Sequence, residues 1–597
     1  MTETSNGDRR QLDQFTRRSL LLGGVQAAGL GLVGWRLFDL QVMGAHRYGP
    51  LAENNRLNLQ VVAPKRGRIL DRSGRVLADN EQVFRVTITP AIAKNVGGVL
   101  RRVSRILPLT DDEIAKIVAR ARKQGRNVPT TVASDLSFEQ VAHLNLAAPS
   151  LPGINTEFAL RRRYLGGSAL CHVVGFVGSV ERFTIDDDAV ARLPEMRIGK
   201  SGAELGFDGD LRGAGGTQKV EVDARGRVVR NLETVDPVAG RDVTLTIDSE
   251  LQRLVGDRLQ SGASAAAAVL VDIQTGGIVV MASAPGFDPG AIAGGITAAD
   301  WQKLAQSEDK PLLNRAVAGQ YAPGSTFVVV TALAALEAGV LSPGERIVCH
   351  GEYEYRGDVY RCSKREGHGS LSLHEAISSS CEVFFCEVAA RLGIARLSAA
   401  ARALGLGATW NFGLSEEKSG LVPDPDWKRG NLNSAWLGGE TLLTGIGQGY
   451  VQATPLQLAV MTARIASGRS VVPQLEKRDG ISGFVPLGFS EAHVDAVRQG
   501  MAAAVNEQGG SAEEAKLGAG RPVVAGKTGA SKMFIGYEPA ETPRYAIATV
   551  VERGNASAAL LARDILNFAV DRADHAGGKS PQGGGVSPTG DDTGKAG

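Results

Sequence analysis

The segment Tyr321-Ala322-Pro323-Gly324-Ser325-Thr326-Phe327 places a hydroxyl at the start of a helix. Pro323 and Gly324 break what precedes, and Val328 to Gly339 is apolar and helix-compatible. A serine there has backbone N–H groups nearby, and its hydroxyl becomes a nucleophile once a base takes its proton. Taken alone, the same residues describe an ordinary capped helix start. Further on, Ser380-Cys381-Glu382 and Lys527-Thr528-Gly529 add a second hydroxyl, a carboxylate and a cation. A different chemistry is offered by Cys349, Cys362, His368 and Cys381, a Cys₃His set suited to tetrahedral zinc, although the spacing is not that of a standard finger. The same residues also allow a Cys349–Cys362 disulfide, with His368 in a solvated loop and Cys381 buried. A four-ligand zinc has no open position and would be structural, pinning the loop near Ser380. Cys171 and Cys386 read as single buried thiols, and His172 as a packed histidine.

The elements that must position these residues are legible in outline. At 597 residues the chain is too long for a single core. A net charge of +2 gives no basic field that would point to nucleic acid. Behind Arg9, Arg10, Arg17 and Arg18, residues 19–35 carry no charge, and apolar character continues to Leu40, about one bilayer of helix. The arginines put residues 1–18 in the cytoplasm and the bulk of the chain outside it. A twin-arginine-like export signal is the rival, but no small-x-small cleavage site follows, which favours an uncleaved anchor over 19–40. Strand-like alternation at Leu57, Leu59 and Val61, a turn at Ser73-Gly74, and a helix over Asp111–Gln124 with Ile114, Ile117, Val118 and Ala121 on one face indicate an elongated α and β region. Alternation returns at Thr217–Val229 and at Val243–Asp248, and a capped helix follows from Ser249 to Leu259. From there a larger α/β pattern begins, with strands expected at Ala266–Val271, Gly277–Ala282, Val523–Ala525 and Tyr545–Val551. Beyond about His575 the composition cannot bury a core, so residues 573–597 are expected to be a disordered tail.

Ser325, Ser380 and Lys527-Thr528-Gly529 occur in the order and approximate separations of the S-x-x-K, S-x-N and K-T-G motifs of penicillin-recognising serine enzymes. With Arg66–Arg72, Gly202–Asp208, Leu245–Asp248, Pro311–Ala316, Gly445–Gly449 and Phe534–Tyr537, the chain resembles the class B penicillin-binding proteins, and most closely their elongation-type branch, penicillin-binding protein 2. The resemblance implies a multi-domain α/β architecture. A single transmembrane helix would carry an elongated α+β pedestal, or dimerisation, domain over 41–245 and a β-lactamase-like transpeptidase domain over 246–572. It implies that Ser325 attacks the carbonyl between the two terminal D-alanines of a peptidoglycan stem peptide, giving an acyl-enzyme that a neighbouring amine converts into a cross-link. β-Lactams would intercept the same serine. The N–H groups of Ser325 and Ala530 would form the oxyanion hole, and Lys527 and Thr528 would hold the terminal carboxylate, with Gly529 and Ala530 beside them. The family often carries acid, cysteine and histidine ligands at the positions of the Cys₃His set. Implied partners are a SEDS-family glycosyltransferase and rod-complex scaffold proteins, met at the inner membrane with the bulk of the chain in the periplasm.

Three departures from that family fall at the chemistry. The position three residues after Ser325, which shares its helix face and holds the family's base, is Val328. Valine neither accepts a proton nor donates a hydrogen bond, and losing a general base typically forfeits about 10² to 10⁴ in rate. Glu382 stands for the usual Asn or Asp, and Ala530 for the Thr that commonly follows K-T-G. The residues therefore leave two functional classes. One is a transpeptidase with a displaced base, for which Lys527 is the candidate; the other is an impaired or non-catalytic relative that serves as a scaffold or regulator of wall synthesis. A β-lactam sensor ranks last, because the cytoplasmic segment is too short to signal.

Overall fold

The computed structural model describes residues 6–43, 57–126, 128–179, 196–222, 228–478, 483–529 and 532–576. Its first element is a helix from Asn6 to Phe38, and Leu20–Phe38 within it is long and apolar enough to cross a membrane. The lower part of the pedestal is a three-stranded sheet in which Gly216–Val222 lies between Leu57–Val62 and Val228–Val235. The alternation expected as one stretch over Thr217–Val229 is thus two antiparallel strands, with residues 223–227 outside the described ones.

A second pedestal sheet is organised around one long strand, Val76–Ile88. Ile154–Tyr164 pairs along it on one side, and Ile69–Leu70 and Thr130–Leu136 on the other. The Asp111–Gln124 helix has the expected bounds, fixed by a capping box in which Thr110 and Glu113 satisfy each other's backbone N–H groups. It packs Ile114 and Ile117 against Val86, Ile88 and Leu100 in a core of its own. Nearer the catalytic half, Arg66 and Arg162 both clamp the fully buried Glu204, each through a 2.7 Å contact, so two of the family-like segments meet in one ion-pair cluster.

The catalytic half centres on a five-stranded antiparallel sheet. Its order is Ile278–Ala284, Ala265–Asp272, Tyr545–Arg553, Met533–Glu538, Ala525–Thr528. The inner strands are buried on both faces, so they are runs of Ala, Val and Ile without alternation. Helices Ser249–Gly262 and Ala558–Ala576 cover one face; Pro455–Ser467 covers the other and belongs, like Val328–Glu337, to the main core. That core continues into the pedestal through Ile69, Leu77, Val173, Ala203 and Val243.

Three sequence expectations shift. The last sheet strand begins at Ala525 and not at Val523, because the carbonyls of Val523 and Val524 are taken by the Ala540 N–H and the Asn506 amide. Of the 243–248 stretch, Val243 and Thr244 form a strand, Leu245 makes an isolated bridge to Glu476, and Asp248 caps the helix that follows. The final helix runs to Ala576, past the point where a disordered tail was expected, and residues 577–597 lie outside the described ones.

Candidate active site

Ser325 lies in a 3₁₀ turn, Gly324–Phe327, that runs directly into the Val328–Glu337 helix. Two glycines hold this turn from either side. Gly447, in the left-handed region with φ +71°, accepts the Gly324 N–H at 2.8 Å, and a Cβ on it would lie 2.1 Å from the Gly324 carbonyl oxygen. Gly529, at the end of the edge strand, would bring a Cβ to 2.5 Å from the Pro323 oxygen. Only backbone without a side chain approaches that closely. Thr326 is buried and turns its hydroxyl back to the Pro323 carbonyl at 2.7 Å. Ser325 itself is half-buried, and its hydroxyl has no hydrogen-bond partner among the described residues. The sequence expectation of a serine in the first helical turn is thereby met, and Val328 is buried one turn on, at 1 % exposure.

The opposite wall is polar and closely bonded. Ser380 ends the Leu373–Ser379 helix in the left-handed conformation, φ +56° and ψ +47°, an uncommon state for a residue with a side chain. Its hydroxyl receives a hydrogen bond from Lys527 Nζ and donates one to Ser511 Oγ at 3.0 Å. Lys527 is 0 % exposed and also reaches Ser511 Oγ at 3.2 Å and the Thr528 carbonyl at 3.1 Å. Burial pushes the Lys527 ammonium down to about 7, against the opposing pull of the Glu382 carboxylate. Glu382 is itself raised, first by its own burial and then by Cys362. Thr528 donates its hydroxyl proton to the Ser511 carbonyl at 3.0 Å, leaving its lone pairs, and not its proton, for a substrate. Gly529 serves as the close-packed neighbour of the serine turn. Ala530 lies outside the described residues. No lysine bonds to Ser325 among the described residues, and the ammonium of the buried Lys428 is committed to Glu440 and the Ala435 carbonyl.

Ser511 was not singled out from the sequence. It sits in the loop after the Glu491–Asn506 helix, and its N–H donates to the Ser378 carbonyl at 2.9 Å. One residue thus joins the Ser380 and Lys527 segments, and a Gly-Gly-Ser loop carries no motif that would reveal it.

Next to Ser380, the four thiol and imidazole ligand atoms of Cys349, Cys362, His368 and Cys381 lie within 4.8 Å of one another. His368 Nδ1 is 3.4 Å from Cys362 Sγ and 3.7 Å from Cys349 Sγ. Two small hairpins, Ile347–Cys349 with Gly369–Leu371 and Glu352–Tyr355 with Asp358–Arg361, bring the first three residues together. Cys381 supplies the fourth while its sulfur caps the Glu382–Leu392 helix. All five cysteines are free, so the Cys349–Cys362 disulfide is not formed. A hydrogen bond between the two sulfurs lowers the Cys362 thiol and raises Cys381. Cys171, Cys386 and His172 are buried, as expected.

Residues 61–245 match the penicillin-binding protein dimerisation domain, and residues 266–567 match the penicillin-binding protein transpeptidase domain. The chain belongs to the class B penicillin-binding proteins, of the penicillin-binding protein 2 type. It is 32% identical over 599 residues to the peptidoglycan D,D-transpeptidase MrdA of Escherichia coli, covering 93% of this chain and 94% of that one. Among solved structures, it is similar to a complex between penicillin-binding protein 2 and MreC from Helicobacter pylori. That likeness has a TM-score of 0.79 and 26% identity, covering 86% of this chain and 99% of that one. It is also similar to a chain described under structural coordination of polymerization and crosslinking by a peptidoglycan synthase complex, with a TM-score of 0.65 and 27% identity, covering 94% of this chain and 99% of that one. The protein therefore acts in peptidoglycan synthesis, and the non-catalytic scaffold reading gains no support from these relatives.

Proposed function

We propose that this penicillin-binding protein is a working peptidoglycan D,D-transpeptidase in which Ser325 is the nucleophile and Lys527, acting through Ser380, replaces the base absent at Val328. The supporting observation is a buried Lys527 bonded to Ser380 and Ser511, with its ammonium held near neutrality by desolvation. As Ser325 Oγ bonds to the carbonyl carbon between the terminal D-alanines, its proton passes by way of Ser380 Oγ to Lys527 Nζ. Collapse of the tetrahedral intermediate breaks the C–N bond, and the proton returns to the departing D-alanine amine. A second amine then attacks the Ser325 ester, releasing the serine and leaving a cross-link.

Cys349, Cys362, His368 and Cys381 would hold a structural zinc. Three sulfurs and one imidazole nitrogen in a cluster of this size suit that ion. Bound there, the metal would fix Cys381 and so the Ser380 that precedes it. The pedestal is taken as 41–245 and the transpeptidase domain as 246–572, with the bulk of the chain in the periplasm on an inner-membrane anchor. The neighbours solved with MreC and within a peptidoglycan synthase complex support rod-complex scaffold proteins and a SEDS-family glycosyltransferase as partners.

The test uses the full chain in detergent with a fluorescent penicillin, read by denaturing gel and intact mass. Covalent labelling of the parent that disappears in Ser325→Ala is the expected result. A parent unlabelled from pH 6 to 9, with labelling restored by Val328→Lys, would overturn the displaced-base mechanism.

A further inference from the structure

Where the pedestal meets the catalytic half, a cavity of about 280 Å³ opens between His172, Phe176 and Ser201 on one side and Phe287, Trp301 and Asn314 on the other. Much of its body is aromatic and aliphatic, and Lys200 and Glu416, of opposite charge, also line it. Phe287 meets the edges of both His172, at 5.3 Å between ring centres, and Phe176, at 5.9 Å, and Leu312 and Leu313 extend the apolar wall. Within this lining three buried polar atoms have no hydrogen-bond partner among the described residues: His172 Nε2, Asn314 Oδ1 and Ser201 Oγ. Buried polar atoms are rarely left unpaired, because each then loses its hydration without replacement. Three of them lining one cavity is the pattern of a site built to be filled.

The chemistry of those atoms selects what fills it. Asn314 Oδ1 is an acceptor, and the Asn314 amide already donates to Glu416 at 3.2 Å. His172 is neutral, pushed down to about 4 by burial and only partly offset by its hydrogen bond to the Pro285 carbonyl, which leaves Nε2 with a bare lone pair. The nearby Arg315 guanidinium makes a further positive charge unwelcome at that point. Two acceptors and an adaptable hydroxyl inside aromatic walls call for an uncharged ligand with a flat apolar body and N–H or O–H donors at one end. We propose that this junction cavity is a binding site for a small neutral aromatic amide or hydroxyl compound, separate from the site at Ser325.

Asn314 immediately precedes Arg315, whose backbone N–H bonds Ser283 Oγ at 3.0 Å and whose side chain pairs with Glu552 at 2.8 Å. Glu552 in turn accepts the Tyr321 hydroxyl at 2.9 Å, four residues before Ser325. Asn314 is thereby linked, through Arg315 and Glu552, to the chain that presents Ser325. Binding itself does not depend on whether Ser325 turns over.

The experiment titrates the full-length protein in detergent with benzamide as the probe and toluene as its donor-free counterpart, read by saturation-transfer NMR. Saturable benzamide binding, about tenfold or more tighter than toluene and lost in Ala318→Leu, which fills the cavity from its wall, is expected. Should Ala318→Leu fail to fold, ¹⁵N-histidine labelling of the parent decides the question. One imidazole nitrogen among the eight histidines is expected to shift as benzamide saturates. Absence of saturable binding, equal binding of toluene, or no histidine shift would each overturn the proposal.

Discussion

On the helix that follows Ser325, the side chain one turn on is Val328, buried among Val329, Val330 and Thr331 with nothing to take a proton. Across the cleft, Lys527 is as deeply buried, yet its ammonium meets the oxygens of Ser380, Ser511 and Thr528. Burial is common to both walls, and only the second sets a buried titratable group among polar partners. Packing alone does not make an acid-base site; what distinguishes the second wall is that each buried polar group has a partner that holds it in place while its proton affinity is tuned. The first wall retains the part that depends on shape, the turn fixed by Gly447 and Gly529. In the proposed mechanism the second supplies the part that depends on protons.

The comparison breaks most decisively at Lys527. Lys527→Met is expected to slow penicillin acylation by about 10² to 10⁴, the usual contribution of a general base. In the parent the rate should rise with pH through about 7, since the reactive form is the neutral amine and raising the pH populates it. Stopped-flow acylation from pH 5.5 to 9 tests both, and a parent profile flat across that range would remove Lys527 from the role. Gly529→Ala probes the shape-dependent wall. Its Cβ would meet the Pro323 oxygen, so a loss of about 1 to 3 kcal/mol in stability is expected in chemical denaturation, together with weaker labelling of Ser325. A metal assay sharpens the link to Ser380: one zinc per chain is expected in the parent, and Cys381→Ser should lose it and melt at lower temperature. The smallest effect belongs to Thr528→Val, which removes one hydrogen bond to the Ser511 carbonyl and should cost about 1 kcal/mol.

The architecture was largely readable from the sequence because its signals are local. The Asp111–Gln124 helix carries both its apolar stripe and its cap in adjacent residues, and the buried sheet strands declare themselves as apolar runs. The three catalytic segments were also readable, as short ordered motifs. What escaped was whatever depends on a partner distant in sequence. The start of the last strand is decided by Asn506 and Ala540, which claim the Val523 and Val524 carbonyls from outside the ladder. Ser511 acquires its place only when the loop after Asn506 folds back between Ser380 and Lys527. A lysine in a K-T-G segment reads as a cation; its desolvation, and hence its candidacy as a base, becomes visible only once the surrounding walls are present.

The continuous core that joins part of the pedestal to the catalytic half has a further consequence. Val173, Ala203 and Val243 pack into the same cluster as the helix behind Ser325, whereas the upper pedestal closes around Val86, Leu100 and Ile117 by itself. The cooperative unit of folding therefore does not follow the boundary between the two sequence families. Amide protons in the shared core are therefore expected to exchange together, and those of the lobe around Val86, Leu100 and Ile117 separately, which native-state hydrogen exchange would read.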